Sequence, residues 1–215
     1  MERIGVLGGT FDPPHRGHLA LARAAIQQLD LDRVLWAPAG QPPHKQDRAL
    51  GSASSEHPAS AGNLPSRAQA RLAMVRLAIA EDPQLVLCRL DLDRPGPHYT
   101  ADLLALLKAQ HDPSTRFWFL VGEDSLRDLG KWHAPEQILA SCRLAVYPRS
   151  GSPVDWAGLE KVVQKIRERI DWLTGPPYDC ASSLIRQDIR AGRPVHDRVP
   201  ESVCAYIKSH QLYRA

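Results

Sequence analysis

The chain has 215 residues, which is enough for one sizeable hydrophobic core or for one core with a small C-terminal extension. Lys and Arg outnumber Asp and Glu by only 27 to 24, too small an excess to indicate nucleic acid as a partner. The four cysteines are far apart, without a C-x-x-C pair, which favours reduced thiols over a zinc or redox site. The N-terminal sequence lacks the apolar core of a signal peptide, and apolar runs such as 117–121 are too short to span a bilayer. We therefore expect a cytoplasmic protein that binds neither nucleic acid nor membrane.

Buried strands and amphipathic helices alternate along the sequence. Short apolar runs predict strands at 4–7, 34–38, 85–90, 117–121 and 144–147. Apolar residues at helical spacing and helix-start signals predict helices at 17–28, 67–80, 100–110, 160–169, 182–191 and 200–210, the third capped by Thr100 itself. The alternation predicts a doubly wound, Rossmann-like α/β fold with a parallel sheet, in one domain over residues 1–215 with a small C-terminal helical part at 182–215. In such a sheet, ligands bind at the carboxyl ends of the strands.

The segment 46–66 differs in composition from the rest of the chain. It is rich in Ser, Ala, Gly and Pro and has almost no large apolar residue. Such a segment buries too little surface to offset the entropy of ordering, so we expect a mobile loop. Lys45, at the edge of this loop, follows a Pro-Pro turn on the predicted ligand side and is either a charge for a phosphate or carboxylate or a solvated surface lysine.

The strongest chemical motif, GGTFDPPHRGH at 8–18, follows the first predicted strand. Its glycines let the backbone approach a bulky anion, and the next helix begins with free N–H groups and a positive dipole end. His15 and His18 are three residues apart, so both imidazoles can lie on one side of the helix start and hold phosphate oxygens. The structural alternative is a Gly-Pro loop followed by two surface histidines. The chain contains neither the G-x-G-x-x-G nor the P-loop pattern.

Polar residues also follow or precede other predicted elements at the ligand edge. Tyr99 and Thr100 come just before a helix, where backbone amides can bind an anion. Gly122 and Asp124 follow a buried strand, so Asp124 could bind a ribose hydroxyl or help to place a metal. Plain helix capping is the alternative for Thr100 and Asp124.

Two further segments favour ligand binding. Trp132 has polar sequence neighbours, and an indole at a ligand edge can stack on an aromatic ring, although a core or interface role is the alternative. Ser182, Ser183 and Arg186 begin a helix, where hydroxyls, free amides and a guanidinium suit a nucleotide triphosphate. A capped surface helix is the alternative for this segment.

The motif at 8–18 resembles the H-x-G-H signature of the adenylyltransferase and cytidylyltransferase superfamily. Segments APAGQPPHK at 37–45, GPHYT at 96–100, GEDSL at 122–126 with Leu129 and Trp132, and SSLIR at 182–186 resemble bacterial nicotinate-nucleotide adenylyltransferases. These segments cover nearly the whole chain in the expected order. The sequence departs from the usual family pattern at Ala181 and at His98, where the family usually has serine.

The resemblance implies transfer of AMP from ATP to nicotinate mononucleotide, which gives nicotinate adenine dinucleotide and pyrophosphate. Mg²⁺ would accompany ATP without metal ligands from protein side chains. The implied catalytic residues are His15 and His18. The implied ATP-binding residues are Gly8, Gly9, Thr10, Phe11, Gly122, Asp124, Ser182, Ser183 and Arg186. The implied acceptor-binding residues are Lys45, Tyr99, Thr100, Trp132 and His133, with Trp132 against the pyridine ring.

Other functions stay open at this point. A sibling adenylyltransferase could use nicotinamide mononucleotide or another phosphorylated acceptor such as phosphopantetheine. A nucleotide-binding regulator without catalysis is an alternative from another class, and the intact histidine pair argues against it. An oxidoreductase that uses a nicotinamide cofactor is disfavoured by the missing glycine fingerprint. The sequence leaves the oligomeric state open, and a homo-oligomer is compatible with it.

Overall fold

The computed structural model describes residues 1–40, 67–149, 151, 153–176 and 180–214. Within these residues one sheet contains six strands: β1 (Arg3–Gly9), β2 (Arg33–Pro38), β3 (Leu85–Leu87), β4 (Arg116–Gly122), β5 (Arg143–Tyr147) and β6 (Ile170–Trp172). The order across the sheet is β3-β2-β1-β4-β5-β6, and each neighbouring pair is parallel. The strand order reverses at β1 and β4, so the carboxyl ends of these strands flank the crevice in which doubly wound sheets bind ligands.

Helices cover both faces of this sheet. The described part of the chain contains α1 (Arg16–Leu29), α2 (Arg67–Ile79), α3 (Thr100–Gln110), α4 (Glu123–Asp128), α5 (Pro135–Ser141), α6 (Trp156–Val162), α7 (Ser182–Arg190) and α8 (Glu201–Ser209). The helices α1 and α2 pack on one face, and α3 to α6 pack on the other. The helices α7 and α8 pack around Met74 of α2 in a smaller third cluster. The predicted Rossmann-like sheet with a small C-terminal helical part is therefore confirmed.

The central strands have apolar side chains on both faces. In β4, Phe117, Phe119 and Val121 point into the core beneath α3 to α6, whereas Trp118 and Leu120 point into the core beneath α1. A strand that is covered on both sides has no polar face, which explains why its sequence is an unbroken apolar run rather than an alternating one.

Three predicted details were wrong. The segment 160–169 is not one helix: α6 ends at Val162, Lys165 takes the left-handed conformation with φ of 57°, and a short 3₁₀ turn follows at Ile166–Arg169. The strand predicted to run to residue 90 ends at Leu87. The cap of α3 is Tyr99, and Thr100 is the first helical residue.

Some elements were not predicted at all. The helices α4 and α5 have six and seven residues, and β6 has three, so their apolar periodicity is too short to identify. Lys45 and the loop predicted at 46–66 lie outside the described residues. Among the helices of the described segments, none has the length and apolar character needed to cross a membrane.

Candidate active site

His15 and His18 lie at the beginning of α1, directly behind the loop that follows β1. His15 is the N-cap residue of the helix and is only 2% exposed. The two imidazoles stack, with ring centroids 3.7 Å apart. The backbone N–H of His15 donates to Nδ1 of His18 over 3.1 Å, so a neutral His18 carries its proton on Nε2. The structure thus places both rings on one side of the helix start.

Burial keeps both histidines neutral at physiological pH. It lowers the pKa of His15 to about 3, and the positive charge of Arg149 adds to this effect. The pKa of His18 falls well below its usual value through burial, the neighbouring His15 and Arg149. Within the described residues, Nδ1 of His15 is buried and has no hydrogen-bond partner. A neutral imidazole has one N–H, so each ring has one donor for a phosphate oxygen.

Aromatic rings support His18. The ring of Phe11 stacks on Trp36 with centroids 5.0 Å apart, and it makes an edge-to-face contact with His18 at the same centroid distance. Phe11 is 2% exposed, and its φ of 49° lies in the left-handed region that favours glycine. The side chain of Phe11 therefore holds the histidine in place. Any contact of this residue with ATP would have to come from its main chain.

The loop between β1 and α1 is bound to α7. The hydroxyl of Ser182 donates to the carbonyl of Pro13 over 2.9 Å, and Nη1 of Arg186 donates to the carbonyl of Asp12 over 2.7 Å. Ser183 is exposed. The start of α7 therefore lies beside the histidine loop. The hydroxyl of Ser182 and Nη1 of Arg186 are already hydrogen-bonded to this loop.

Arg149 is a site residue that the sequence reasoning missed. It follows β5 by two residues, at the same edge of the sheet as the histidines. Its guanidinium donates to Asp124 over 3.4 Å and to the carbonyl of Cys180 over 3.3 Å, and its backbone N–H donates to Glu123 over 3.2 Å. A signal was available, because a basic residue directly after a parallel strand belongs to the ligand edge.

Gly122 ends β4 and caps α4. A Cβ atom at this position would collide with the carboxylate of Asp124 and would lie 3.0 Å from Nε of Arg149. The glycine therefore leaves room for this ion pair beside the end of β4. Asp124 lies in the first turn of α4 rather than at its cap.

A cavity of about 210 Å³ extends from the end of β1 towards the start of α3. From the predicted ATP-binding set, its wall includes Gly8, Gly9 and Thr10. From the predicted acceptor-binding set, its wall includes Tyr99, Thr100, Trp132 and His133. The structure therefore brings parts of both sets around one space. His15 and His18 lie at the other end of the β1–α1 loop and do not line this cavity.

Aromatic contacts order the side of this cavity that is formed by Tyr99, Trp132 and His133. The rings of Trp132 and Phe119 of β4 meet edge to face, with centroids 6.0 Å apart. Although its sequence neighbours are polar, Trp132 packs against the core beneath α3 to α6. The ring of Tyr99 stacks on His133 with centroids 4.2 Å apart. The cavity therefore has an aromatic wall that a flat ring can contact.

Two buried polar residues of the cavity were not predicted to bind ligand. Asp91 accepts a hydrogen bond from Nε of Arg94 over 2.9 Å. Burial raises the pKa of Asp91, against the opposing effect of Arg94. Nε2 of His98 lies 3.1 Å from the carbonyl of Arg94. His98, which departs from the usual family pattern, thus helps to shape the wall rather than lying on the surface.

Comparison with known proteins identifies the family. The cytidylyltransferase-like family model matches residues 6–188. A protein of Synechococcus sp. strain JA-3-3Ab, named "Probable nicotinate-nucleotide adenylyltransferase", is 40% identical over 212 residues, which are 99% of this chain and 95% of the relative. A protein of the same name from Roseiflexus sp. strain RS-1 is also 40% identical, over 98% of both chains. The chain belongs to the nicotinate-nucleotide adenylyltransferase family.

Solved structures confirm the family's fold in this chain. The nicotinic acid mononucleotide adenylyltransferase of Plasmodium falciparum, complexed with NaAD, superposes with a TM-score of 0.73 at 19% identity. The superposition covers 99% of this chain and 98% of that one. Family membership also confirms the resemblance that the segments 8–18, 96–100, 122–126 and 182–186 indicate.

Proposed function

We propose that this protein transfers the AMP part of ATP to nicotinate mononucleotide and releases pyrophosphate. The observation that carries this proposal is the stacked, neutral pair of His15 and His18 at the reversal point of the sheet, one short loop away from an aromatic cavity. Curated relatives with this activity in their names match over nearly their whole length and support the choice of substrates.

The chemistry requires charge stabilisation more than proton transfer. A phosphate oxygen of the acceptor forms a bond to the α-phosphorus of ATP, while the bond from that phosphorus to the bridging oxygen breaks and its electron pair leaves with pyrophosphate. The acceptor phosphate is ionised at neutral pH, so neither a general base nor an enzyme nucleophile is needed. Catalysis then rests on positioning and on fixed donors around the α-phosphorus. The Nε2–H of His18 supplies one such donor, and Arg149 supplies positive charge nearby.

The remaining groups of the ATP side have positioning roles in this proposal. Backbone amides of 8–11 and of 122 approach the nucleotide, and Asp124 binds a ribose hydroxyl. Arg186 braces the leaving pyrophosphate together with the start of α7, including Ser182 and Ser183. Its bond to the carbonyl of Asp12 uses one of five guanidinium N–H groups, so donors remain for phosphate oxygens.

Nucleotidyltransferases of this kind generally use a divalent metal, and we assign Mg²⁺ to ATP itself. The donors around the histidine loop are imidazole, guanidinium and amide nitrogens, which fit phosphate oxygens rather than a bare cation. Within the described residues there is no group of three or more His, Cys, Asp or Glu side chains that could hold a metal. When bound, Mg²⁺ would neutralise charge on the triphosphate, and the nucleotide and water would supply its ligands.

The acceptor binds in the aromatic cavity. The indole face of Trp132 suits the cationic pyridinium ring, and the free amides at the start of α3, beside Tyr99 and Thr100, suit the ring carboxylate. The backbone of His133 adds a further donor. Lys45 remains a proposed charge for the acceptor phosphate or carboxylate.

An acceptor panel tests this function. The protein is incubated with ATP, Mg²⁺ and one of nicotinate mononucleotide, nicotinamide mononucleotide or phosphopantetheine, and pyrophosphate release is measured for each. We expect the fastest release with nicotinate mononucleotide. Faster release with another acceptor would identify a sibling transferase, and release with none would favour a nucleotide-binding regulator. The cytoplasmic location and the absence of a nucleic-acid partner stay predictions from the sequence, which leaves the oligomeric state open.

A further inference from the structure

Groups from three separate parts of the chain meet on Asp12, three residues before His15. The carboxylate is 1% exposed. Its Oδ2 atom accepts hydrogen bonds from Arg67 of α2, over 2.6 Å from Nη2 and 3.2 Å from Nε. Its Oδ1 atom accepts a hydrogen bond over 2.7 Å from the hydroxyl of Tyr213, which follows α8. Arg186 of α7 binds the carbonyl of the same residue and lies 4.0 Å from Oδ2.

Asp12 is well placed to control the histidine pair. The two residues between Asp12 and His15 are Pro13 and Pro14, whose rings fix φ, so few soft torsions separate the carboxylate from the start of α1. On the other side, Phe11 is held between Trp36 and the histidine ring. A displacement of the carboxylate would therefore be passed to the backbone that presents the histidines.

Tyr213 is a sheltered partner of this carboxylate. Burial alone would raise the pKa of Asp12, but hydrogen bonds from Tyr213 and Arg67, with the charges of Arg67 and Arg186, lower it overall. Burial and the charge of Asp12 raise the pKa of Tyr213, so its hydroxyl remains a donor. The side chain of Arg67 is 73% exposed, so water competes for its guanidinium. The tyrosine contact is more strongly protected.

We propose that Tyr213 is a positioning residue for adenylyl transfer, because its hydroxyl holds the Asp12 carboxylate and thereby fixes the loop that presents His15 and His18. The inference rests on the proposed function. The ring of Tyr213 also packs against the third core cluster, whose centre is formed by residues such as Val203 and Ile207. The hydroxyl can therefore be removed while the ring and this packing stay in place.

The test compares Tyr213→Phe with Tyr206→Phe, a matched change on α8 whose ring stacks on His210, away from Asp12. Losing a hydrogen bond to a buried carboxylate should lower kcat for nicotinate mononucleotide about tenfold, with both KM values within about twofold of the parent. The control should leave all three constants unchanged. A Tyr213→Phe variant that keeps kcat within twofold would overturn the proposal, even if its melting temperature falls.

Two further measurements separate positioning from general destabilisation. In a double-mutant cycle, Tyr213→Phe should lower kcat much less in an Asp12→Asn background than in the parent, because both changes act through the same contact. If the kcat losses of the two single variants simply multiply in the double variant, the two residues act independently, which would contradict this prediction. In the free, ¹⁵N-labelled protein, Tyr213→Phe should shift the ring resonances of His15 and His18, whereas the Tyr206→Phe control should not. Unchanged ring resonances would also overturn the proposal. This readout needs no substrate, so it judges the inference even if the parent adenylylates no acceptor.

Discussion

His18 uses its two ring nitrogens for different purposes. Nδ1 accepts from the backbone of His15, and Nε2–H is the donor that we assign to the triphosphate. Substitutions can separate these roles, because an Asn oxygen can replace Nδ1 while a Gln amide can replace Nε2–H. Losing one preorganised donor typically lowers the rate roughly a hundred- to a thousandfold. We therefore expect His18→Asn to lower kcat by that factor with little change in acceptor KM, and His18→Gln to retain more activity.

Steady-state pyrophosphate release measures both variants. His196→Ala is the control, because His196 is exposed on the connection between α7 and α8. A His18→Asn enzyme with kcat within a few-fold of the parent would remove His18 from the catalytic assignment.

The buried histidines also predict how stability depends on pH. The pKa of His15 is about 3 in the folded protein and close to 6.5 when unfolded, so between these values the unfolded chain binds more protons. Stability is therefore full above pH 6.5 and falls as the pH drops through this window. Between pH 8 and pH 5.5, each such histidine should lower the free energy of unfolding by about 1.4 kcal/mol.

Urea unfolding at these two pH values tests the effect with His15→Gln. This variant lacks one titrating group, so its loss of stability between pH 8 and pH 5.5 should be smaller by about 1.4 kcal/mol. The exposed His196→Gln change is the control and should match the parent. Equal losses in the parent and His15→Gln would show that His15 is not depressed in the folded state.

At the scale of secondary-structure elements, α2 connects the ends of β1 and β2. Arg71 is 5% exposed, and its guanidinium donates to the carbonyls of Thr10, Ala39 and Gly40 over 2.8, 2.8 and 3.1 Å. Burial lowers the pKa of Arg71, as does the charge of Arg67, and Asp12 opposes both. The buried guanidinium of Arg71 thus connects the residues that follow β1 with those that follow β2. The first loop belongs to the predicted ATP site, and the second leads towards the predicted acceptor site.

Replacing Arg71 with Leu should be strongly destabilising. Three partly buried carbonyls would lose their donor, which should lower the free energy of unfolding by about 2–4 kcal/mol. Arg76→Leu, at an exposed position of the same helix, controls for removal of a positive charge and should change stability little. Urea unfolding at neutral pH compares the two, and equal small effects would show that the three contacts of Arg71 are unimportant.

Strands made of unbroken apolar runs and long helices could be predicted from the sequence, whereas the short helices α4 and α5 could not. The runs at 4–7 and 117–121 are apolar throughout because the sheet is covered on both faces, so they identify β1 and β4 directly. The segment 160–169 has apolar residues at helical spacing, but the spacing gives no sign that the helix ends at Val162 and that Lys165 turns left-handed before a short 3₁₀ turn. The helices α4 and α5 have fewer than two turns each, which is too short for their apolar spacing to identify them.

The candidate site was predictable where its residues are neighbours in sequence. His15 and His18 belong to one local motif whose spacing fixes their common side. The position of Arg149 after a parallel strand was a usable signal, but the contacts of Arg149 and Arg71 could not be predicted. Their partners lie roughly 25 to 60 residues away, and spacing says nothing about such contacts. Tyr213 reaches Asp12 across 201 positions, which only the docking of the C-terminal helices reveals.

At the scale of the whole molecule, the sheet order gathers cations at one edge. The chain has a formal net charge of only +3, yet Arg67, Arg71, Arg149 and Arg186 all lie around the histidine loop. These residues come from α2, from the end of β5 and from α7. Such a local group of cations favours the approach of an anionic nucleotide, although the net charge of the whole chain is small.

The aromatic cavity predicts which mononucleotide the protein uses. Both nicotinate and nicotinamide mononucleotides carry the cationic pyridinium ring, so in the proposed complex the indole of Trp132 would attract both, by about 0.5–2 kcal/mol. Discrimination must come from the groups around the ring substituent. Backbone N–H donors near Thr100 and His133 suit a carboxylate, which only accepts, whereas the NH₂ of an amide would leave donors facing donors. Each mispaired buried donor costs about 1–3 kcal/mol, so several give a large preference for the acid.

A competition assay tests the central claim most directly. The enzyme receives ATP, Mg²⁺ and equal, limiting amounts of the two mononucleotides, and the two dinucleotide products are quantified early in the reaction. Their ratio equals the ratio of the kcat/KM values. The account predicts that nicotinate adenine dinucleotide greatly exceeds nicotinamide adenine dinucleotide. The two dinucleotides together should equal the pyrophosphate released. Equal amounts of the two products, or no dinucleotide at all, would contradict it.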